Sequence, residues 1–320
     1  MRRRDFMLSS GVAAACWPRA SGAAPRDHVR RLKVLSAIPR NDPQAELLLA
    51  VLHERLRQSG WVRGRNLDVD YHWIGSDIVR AGQLAAELAQ TEPEAFLTIG
   101  AAALSAAQQA TRTVPVIFTL LGEPVDLGAL ASLAAPGSNL TGFADFAGAP
   151  LKRWLDLLVA CVPGLRRVAL IAGPQPAGIR LVSASPQVLR IETRSVAAIN
   201  DAIERFADEP DGGLAVLPEG FDAAHLDAIT AAATRHRLPT VSSDRRFARG
   251  GGLISYGVDV AEIYSRAALY IDRILRGTGP SQLEVGRPTV FDLVVNLRTA
   301  KALGLNVPPS ILACADEVIG

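Results

Sequence analysis

The sequence predicts an α/β protein of two lobes, each a parallel sheet covered by helices. Its 320 residues are about twice the ~150 residues of a common domain. Short apolar runs alternate with amphipathic segments from Leu32 onward, and the alternation starts again after Pro150. Strands that alternate with helices favour parallel sheets with helices on both faces. The two series are not copies of a sequence repeat and no low-complexity linker separates them, so we expect several short crossings between the lobes.

The first series begins with an apolar strand at Leu32–Ile38 and a helix at Pro43–Ser59. Five apolar side chains of that helix fall on one stripe at helical spacing, and Gly60 ends it. Ser76 is placed to cap a second helix that runs to about Gln90. The other elements predicted for this series are strands at Asn66–Trp73, Ala95–Ile99, Pro115–Thr119 and Asn139–Phe143, and helices at Ala102–Ala110 and Asp126–Leu133.

The second series has the same pattern, except in one stretch. Residues 172–187 contain three prolines and two glycines, and they are too few for a full crossover helix with its turns. The helices predicted for this series are Leu151–Val162, Ala197–Phe206, Ala223–His236, Val260–Arg276 and Leu297–Leu303. The extended segments are Arg167–Ile171, Val188–Thr193, Gly213–Leu217, Thr240–Ser242, Gly252–Ser255 and Val290–Asn296.

Residues 1–24 have the three parts of an export signal: arginines at positions 2–4, an apolar run at 6–15, and small residues at 21–24. The order Arg3-Arg4-Asp5-Phe6-Met7 fits the twin-arginine pattern of proteins exported folded to the bacterial envelope. We therefore expect a periplasmic protein, cleaved near Ala23 or Ala24. The alternatives are an ordinary Sec signal, an uncleaved basic N-terminus, or lipid attachment at Cys16.

The composition argues against several classes of function. Hydrophobic residues make up 49% of the chain and charged residues 21%, as in an ordinary globular protein. The first 24 residues hold four arginines and one aspartate, and beyond them basic and acidic residues nearly balance. A near-neutral body lacks the positive field that nucleic-acid binding requires. No run of 18 uncharged apolar residues occurs, so we expect no membrane-spanning helix.

Enzyme and metal motifs are also missing from the sequence. It contains no Gly-x-Ser-x-Gly, no Walker loop and no Gly-x-Gly-x-x-Gly after a strand, and its cysteines and histidines lack zinc-site spacing. We expect no catalytic residue, no cofactor and no metal. Beyond the leader only Cys161 and Cys314 remain, and an oxidising compartment would permit a bridge between them. We prefer to interpret them as two small buried thiols.

Two α/β lobes that share a cleft bind ligands at the carboxyl ends of their strands. Gly100 and Ala101 begin a small-residue turn into a helix, where free N–H groups could bind an anion such as a carboxylate. Glu219, Asp244 and Asp259 follow strands of the second series and could accept bonds from a ligand ammonium, although each could instead cap the next helix. The aromatic residues that could form a wall, or instead pack in the core or hinge, are Phe247 and Tyr256.

Seven segments, spread from the first residue to the last, carry a family resemblance. They are MRRRDFM at 1–7, LRQSGWVRGRNLDVDYHW at 56–73, QQATRTVPVIF at 108–118, PGSNLTGF at 136–143, GGLISYGVD at 251–259, YIDRILRGTGP at 270–280 and NLRTAKALGLNVPPSILACADEVIG at 296–320. With them the chain resembles the bacterial ABC-transporter substrate-binding proteins related to tryptophan and tyrosine binders. The resemblance implies a type I periplasmic-binding fold: two Rossmann-like lobes, a hinge of crossing segments, and closure on a small ligand.

The resemblance also implies which residues line the cleft and how the lobes divide. The chain departs from its relatives in two places. Ala101 stands where relatives often have Ser or Thr, which leaves only backbone donors for a carboxylate. Relatives also have a longer loop and a full helix in place of residues 172–187. The first lobe would comprise residues 32–145 and roughly 260–285, and the second residues 146–257 and roughly 290–320. The implied cleft residues are Pro39, Asp42, Gly100, Ala101, Thr119, Glu123, Glu219, Asp244 and Tyr256.

The expected function is a periplasmic solute receptor that closes on a small ligand, possibly an amino acid, and delivers it to the permease subunits of an ABC transporter. A ligand sensor or orphan binding protein on the same scaffold is the alternative, and an exported α/β enzyme is a weaker one. Adjacent permease and ATPase genes would favour transport over sensing.

Overall fold

The computed structural model describes residues 29–38, 40, 42–75, 77–119, 138–143, 148–172, 186–192, 195–217, 221 and 223–320. In the first lobe, five parallel strands lie in the order β2-β1-β3-β4-β5. The chain order of its elements is β1 (Arg30–Ser36), α1 (Pro43–Gln58), β2 (Leu67–Trp73), α2 (Ile78–Gln90), β3 (Ala95–Ile99), α3 (Ala101–Ala110), β4 (Val116–Thr119) and β5 (Leu140–Gly142).

The second lobe contains a seven-stranded sheet in the order β12-β11-β10-β9-β8-β6-β7. Its elements up to the last lobe crossing are α4 (Gly148–Cys161), β6 (Arg167–Ala172), β7 (Gln187–Glu192), α5 (Val196–Ala207), β8 (Gly212–Val216), α6 (Ala223–Arg235), β9 (Thr240–Ser242), α7 (Arg245–Arg249), β10 (Ile254–Val258) and α8 (Val260–Leu275). A 3₁₀ turn at Pro280–Gln282 follows, and then β11 (Phe291–Asn296), α9 (Leu297–Leu303), α10 (Pro309–Leu312) and β12 (Glu317–Ile319).

Both sheets are covered by apolar residues on two faces, so the predicted two-lobed α/β fold is confirmed. In the first lobe, Leu52 of α1 and Ile271 of α8 belong to one core cluster, and the helices α2 and α3 contribute to the cluster on the other face. In the second lobe, α4, α9 and α10 cover one face of the sheet, and α5 and α6 cover the other. The long helix α8 therefore returns to the first lobe and packs beside α1, where Trp61 Nε1 donates a 2.7 Å hydrogen bond to Asp272.

The chain passes between the lobes at neighbouring points. It leaves the first lobe after Phe143, returns between β10 and α8, and leaves again after Gly286. Phe143 and Gly286 form an isolated parallel bridge, and the N–H of Asp259 donates to the carbonyl of Val290 at 3.0 Å. The crossings thus bond to one another, as in a hinge that several segments share.

Several predicted details are wrong. The pairing of β10 with β11 in the second lobe is antiparallel, with Ile254 opposite Val295. The strand predicted at Gly252–Ser255 is Ile254–Val258. The cap of α2 is Asp77, whose Oδ1 accepts the N–H of Arg80 at 3.0 Å, while Ser76 lies outside the described residues, as does the helix predicted at Asp126–Leu133.

The two described cysteines are free, and only one fits the expectation of a buried thiol. Cys161 is buried, and burial raises the pKa of its thiol to about 11. Cys314 is exposed, so the expectation of two buried thiols is wrong for it. Across the described ranges, no helix has the length and apolar character needed to cross a bilayer.

Candidate functional site

The carboxyl ends of strands from the two lobes meet at one ion pair. Asp42 follows β1 in the first lobe, and Arg246 lies in α7, directly after β9 of the second lobe. Arg246 Nη1 is 3.8 Å from Asp42 Oδ1. The segments that follow β1 in the first lobe and β9 in the second therefore approach each other to within contact distance.

Arg246 is held in place by its own neighbour in sequence. Asp244 caps α7 by accepting the N–H of Arg246 at 2.8 Å. The same carboxylate accepts bonds from Arg246 Nε at 2.9 Å and Nη2 at 2.7 Å. The hydrogen bond to Asp244, and the charges of Asp244 and Asp42, raise the pKa of the guanidinium above its ordinary value, so Arg246 stays charged. Asp244 thus serves as a cap and as an anchor for Arg246.

On the first lobe, the turn after β3 presents a helix N-terminus. Gly100 has φ of 94°, which glycine adopts without strain, and its N–H donates to Thr119 O at 2.9 Å. Helix α3 starts at the exposed Ala101. The first N–H groups of any helix lack partners within it and attract anions. Buried Thr119 is turned to the sheet, because its hydroxyl donates to Thr98 O at 3.3 Å.

Tyr256 lies near the hinge end of the second lobe. Its ring stacks on Phe291 of the adjacent antiparallel strand, with centroids 5.4 Å apart and planes 9° apart. Its carbonyl accepts the indole N–H of Trp154 at 2.6 Å, and the Arg153 guanidinium lies 5.9 Å from the ring centroid. These contacts join α4, β10 and β11 beside the crossings.

The remaining predicted residues divide into two groups. Asp259 caps α8, since its Oδ1 accepts the N–H groups of Ala261 at 2.9 Å and Glu262 at 3.2 Å, and Phe247 is buried in the second-lobe core. The predicted cleft residues that lie outside the described residues are Pro39, Glu123 and Glu219.

Sequence reasoning overlooked two features of this region. It searched the segment after β9 for acids and passed over Arg246 beside them. Trp73 was correctly predicted as a strand residue, but its contact was not: it ends β2 opposite Ser36, and the Arg40 guanidinium lies 5.3 Å from its ring centroid. The position of Trp73 at the carboxyl end of a strand was the sequence signal that could have marked it as a residue near the ends of the sheet.

The described residues include groups that can bind a charged ligand, but no cluster of metal ligands. Among them, no three His, Cys, Asp or Glu side chains are grouped closely enough to hold a metal ion. The arrangement pairs a fixed guanidinium with a carboxylate across two lobes, and the helix α3 begins at the carboxyl end of the same first-lobe sheet. Such a site can bind a small charged molecule by closing around it.

Comparisons with known proteins agree with this architecture. A curated tyrosine-binding protein of Clostridioides difficile is 20% identical over 259 residues, which cover 78% of this chain and 74% of that protein. A conserved domain protein from Vibrio cholerae has a similar structure, with a TM-score of 0.75, 22% identity, and 91% of this chain and 99% of that chain covered. An ABC domain from Streptococcus pneumoniae, solved in complex with L-Trp, has a TM-score of 0.75 at 19% identity, with the same coverage of each chain.

The family match covers most of the chain, from Asp42 to Ile319. These residues fit the sequence profile of the family described as ABC transporter substrate binding protein. The profile begins at the acid that faces Arg246 and ends in the last strand of the second sheet. The chain therefore belongs to the ABC transporter substrate binding protein family.

Proposed function

We propose that this substrate-binding protein receives an amino acid in the cleft between its lobes and delivers it to a membrane permease. The observation that carries the proposal is the contact of Asp42 with Arg246, which places opposite charges on the two lobes at the carboxyl ends of their sheets. An amino acid carries both charges within a few ångströms. The names of two relatives, which mention tyrosine and L-Trp, support an aromatic amino acid as the first ligand to test.

The mechanism follows from the hinge. A ligand that contacts both lobes binds the closed form more tightly than the open form, and it shifts the equilibrium towards closure by that difference in affinity. The bonded crossings near Phe143, Asp259 and Gly286 allow rotation of one lobe against the other with both cores intact. A permease can then distinguish the loaded, closed receptor from the empty one.

A thermal-shift screen tests this proposal. L-tyrosine, L-tryptophan, other amino acids, purines, sugars and small carboxylates are each added to the purified protein. A ligand at 100 times its Kd adds about 2.7 kcal/mol to the free energy of unfolding, so Tm should rise by several degrees with an amino acid. A rise with a purine or a sugar, and none with any amino acid, would contradict the proposal.

Export is part of the proposed function. The arginine pair at positions 3 and 4 supports the twin-arginine route to the periplasm. Replacing both with lysine keeps the positive charge, and we expect the precursor to accumulate in the cytoplasm, as measured by fractionation and immunoblotting. Undiminished delivery of this variant to the periplasm would show that the route is a different one.

A further inference from the structure

The guanidinium of Arg246 has one edge occupied and one edge directed at the opposite lobe. Asp244 engages the edge formed by Nε and Nη2, through the 2.9 Å and 2.7 Å bonds. The other edge, formed by Nη1 and the second hydrogen of Nη2, lies on the side of Asp42. An arginine has five N–H donors in a fixed plane, and this second edge matches the two oxygens of a carboxylate.

The contact across the cleft is too long to be a hydrogen bond. Arg246 Nη1 and Asp42 Oδ1 are 3.8 Å apart, and about half of the Arg246 side chain is exposed to solvent. Such a pair contributes little by itself because water screens it. A zwitterion held between the two groups could form a charge-assisted hydrogen bond with each of them, once the side chains or the lobes move apart to admit it.

We infer that Arg246 binds the carboxylate of the ligand and that Asp42, on the opposite lobe, binds its ammonium group. The inference rests on the proposed function, because it gives an orientation to the amino acid in the same cleft. The ligand class is a zwitterion with its carboxylate towards the second lobe. Asp244 acts as a positioning residue, since it orients the guanidinium and leaves its second edge available.

This orientation is the reverse of the one the sequence predicts. The sequence places the carboxylate at the α3 N-terminus and the ammonium on acids of the second lobe. Two of those acids, Asp244 and Asp259, already accept hydrogen bonds from their own segments. Approach of an ammonium to Asp244 would compete with Arg246 for its carboxylate oxygens, whereas approach of a carboxylate to Arg246 leaves the bonds to Asp244 in place.

The test combines ligand analogues with single substitutions, measured by isothermal titration calorimetry. The probes are L-tryptophan, L-tryptophanamide, which has no carboxylate, and indole-3-propionate, which has no ammonium. Arg246→Gln should weaken the binding of L-tryptophan by about 10- to 150-fold. The affinity of the same variant for L-tryptophanamide should equal that of the wild type. Asp42→Asn should weaken the binding of L-tryptophan and L-tryptophanamide and leave the affinity for indole-3-propionate unchanged.

Three further variants serve as controls. Arg249→Gln makes the same chemical change in the same helix, where Arg249 pairs with Glu317, and should leave all affinities unchanged. Arg246→Lys keeps the positive charge but lacks the planar edge of the guanidinium. An affinity for L-tryptophan between those of the wild type and Arg246→Gln would show that the cleft of the variant is folded. Ala101→Pro removes one N–H at the first position of α3, where proline is tolerated, and tests the opposite orientation.

The outcomes separate the inference from the proposed function. Suppose that the wild-type protein binds L-tryptophan. If Arg246→Gln then lowers the affinities for L-tryptophan and L-tryptophanamide equally, the orientation is overturned and the receptor function stands. The same conclusion holds if only Ala101→Pro lowers the affinity for L-tryptophan. If the protein binds carboxylic acids without an ammonium group and no amino acid, and Arg246→Gln abolishes that binding, Arg246 keeps its role and the amino-acid proposal fails. If no probe with a carboxylate binds, the inference is overturned.

Discussion

Replacing Gly257 with alanine should lower Tm by roughly 6–12 °C, because the added methyl group has no space. A Cβ at this position would lie 1.9 Å from the carbonyl oxygen of Ser243 and 2.8 Å from its carbonyl carbon. Both atoms belong to the backbone, so strand β10 and the turn after β9 would have to separate. Overpacking of this kind costs about 3 kcal/mol or more, and differential scanning calorimetry would measure the loss.

The same substitution should also alter the position of Arg246 in the cleft. Ser243 directly precedes Asp244, which anchors Arg246, so a shift of the turn moves the guanidinium away from its position opposite Asp42. Gly82→Ala is the matched control, because a Cβ there meets nothing within 4 Å and alanine favours the helix α2 by about 0.5–1 kcal/mol. An unchanged Tm for Gly257→Ala would mean that the close approach of β10 and Ser243 is not required.

Replacing Trp154 with alanine should cost about 3–5 kcal/mol of folding free energy. Trp154 is 1% exposed, and it belongs to the second-lobe core with Leu170 and Leu293. Its indole N–H donates to the carbonyl of Tyr256 at 2.6 Å, which ties helix α4 to strand β10 beside the hinge. The alanine variant loses the apolar contacts and leaves that carbonyl without its donor.

Trp154→Phe separates the two contributions. Phenylalanine keeps much of the apolar volume and removes the N–H, so urea denaturation should show a loss of about 1–3 kcal/mol, well below that of the alanine variant. If the two variants lose the same amount, the hydrogen bond dominates. If phenylalanine costs nothing, the contact with Tyr256 does not stabilise the hinge end of the second lobe.

Most elements could be predicted from the sequence because their signals are local. Apolar runs bounded by turn residues place β3 at Ala95–Ile99 and β9 at Thr240–Ser242, and the structure has the same bounds. Helical periodicity placed α9 at Leu297–Leu303, also unchanged. The periodic pattern follows from which face of an element is buried, and that face is determined within a window of a few residues.

Pairing and short elements could not be predicted in this way. The alternation of strand and helix favoured parallel neighbours, yet β11 pairs antiparallel with β10 because the chain crosses to the first lobe and back between them. The five-residue helix α7 is too short to show a period, and the local pattern left its cap, Asp244, open between a helix cap and a contact with a ligand ammonium. A carboxylate after a strand has the same local signature whether it binds a ligand or caps a helix.

The sequence by itself determined the two-lobed α/β class, the family and the positions of most strand ends, since all three follow from local pattern and motif. Only the tertiary structure decided which residues after those strands meet. Arg246 and Asp42 are about 200 residues apart in the chain, and their 3.8 Å contact exists because segments at the carboxyl ends of two separate sheets approach each other. Charge complementarity across a cleft depends on the relative placement of two cores, and no window of sequence contains both.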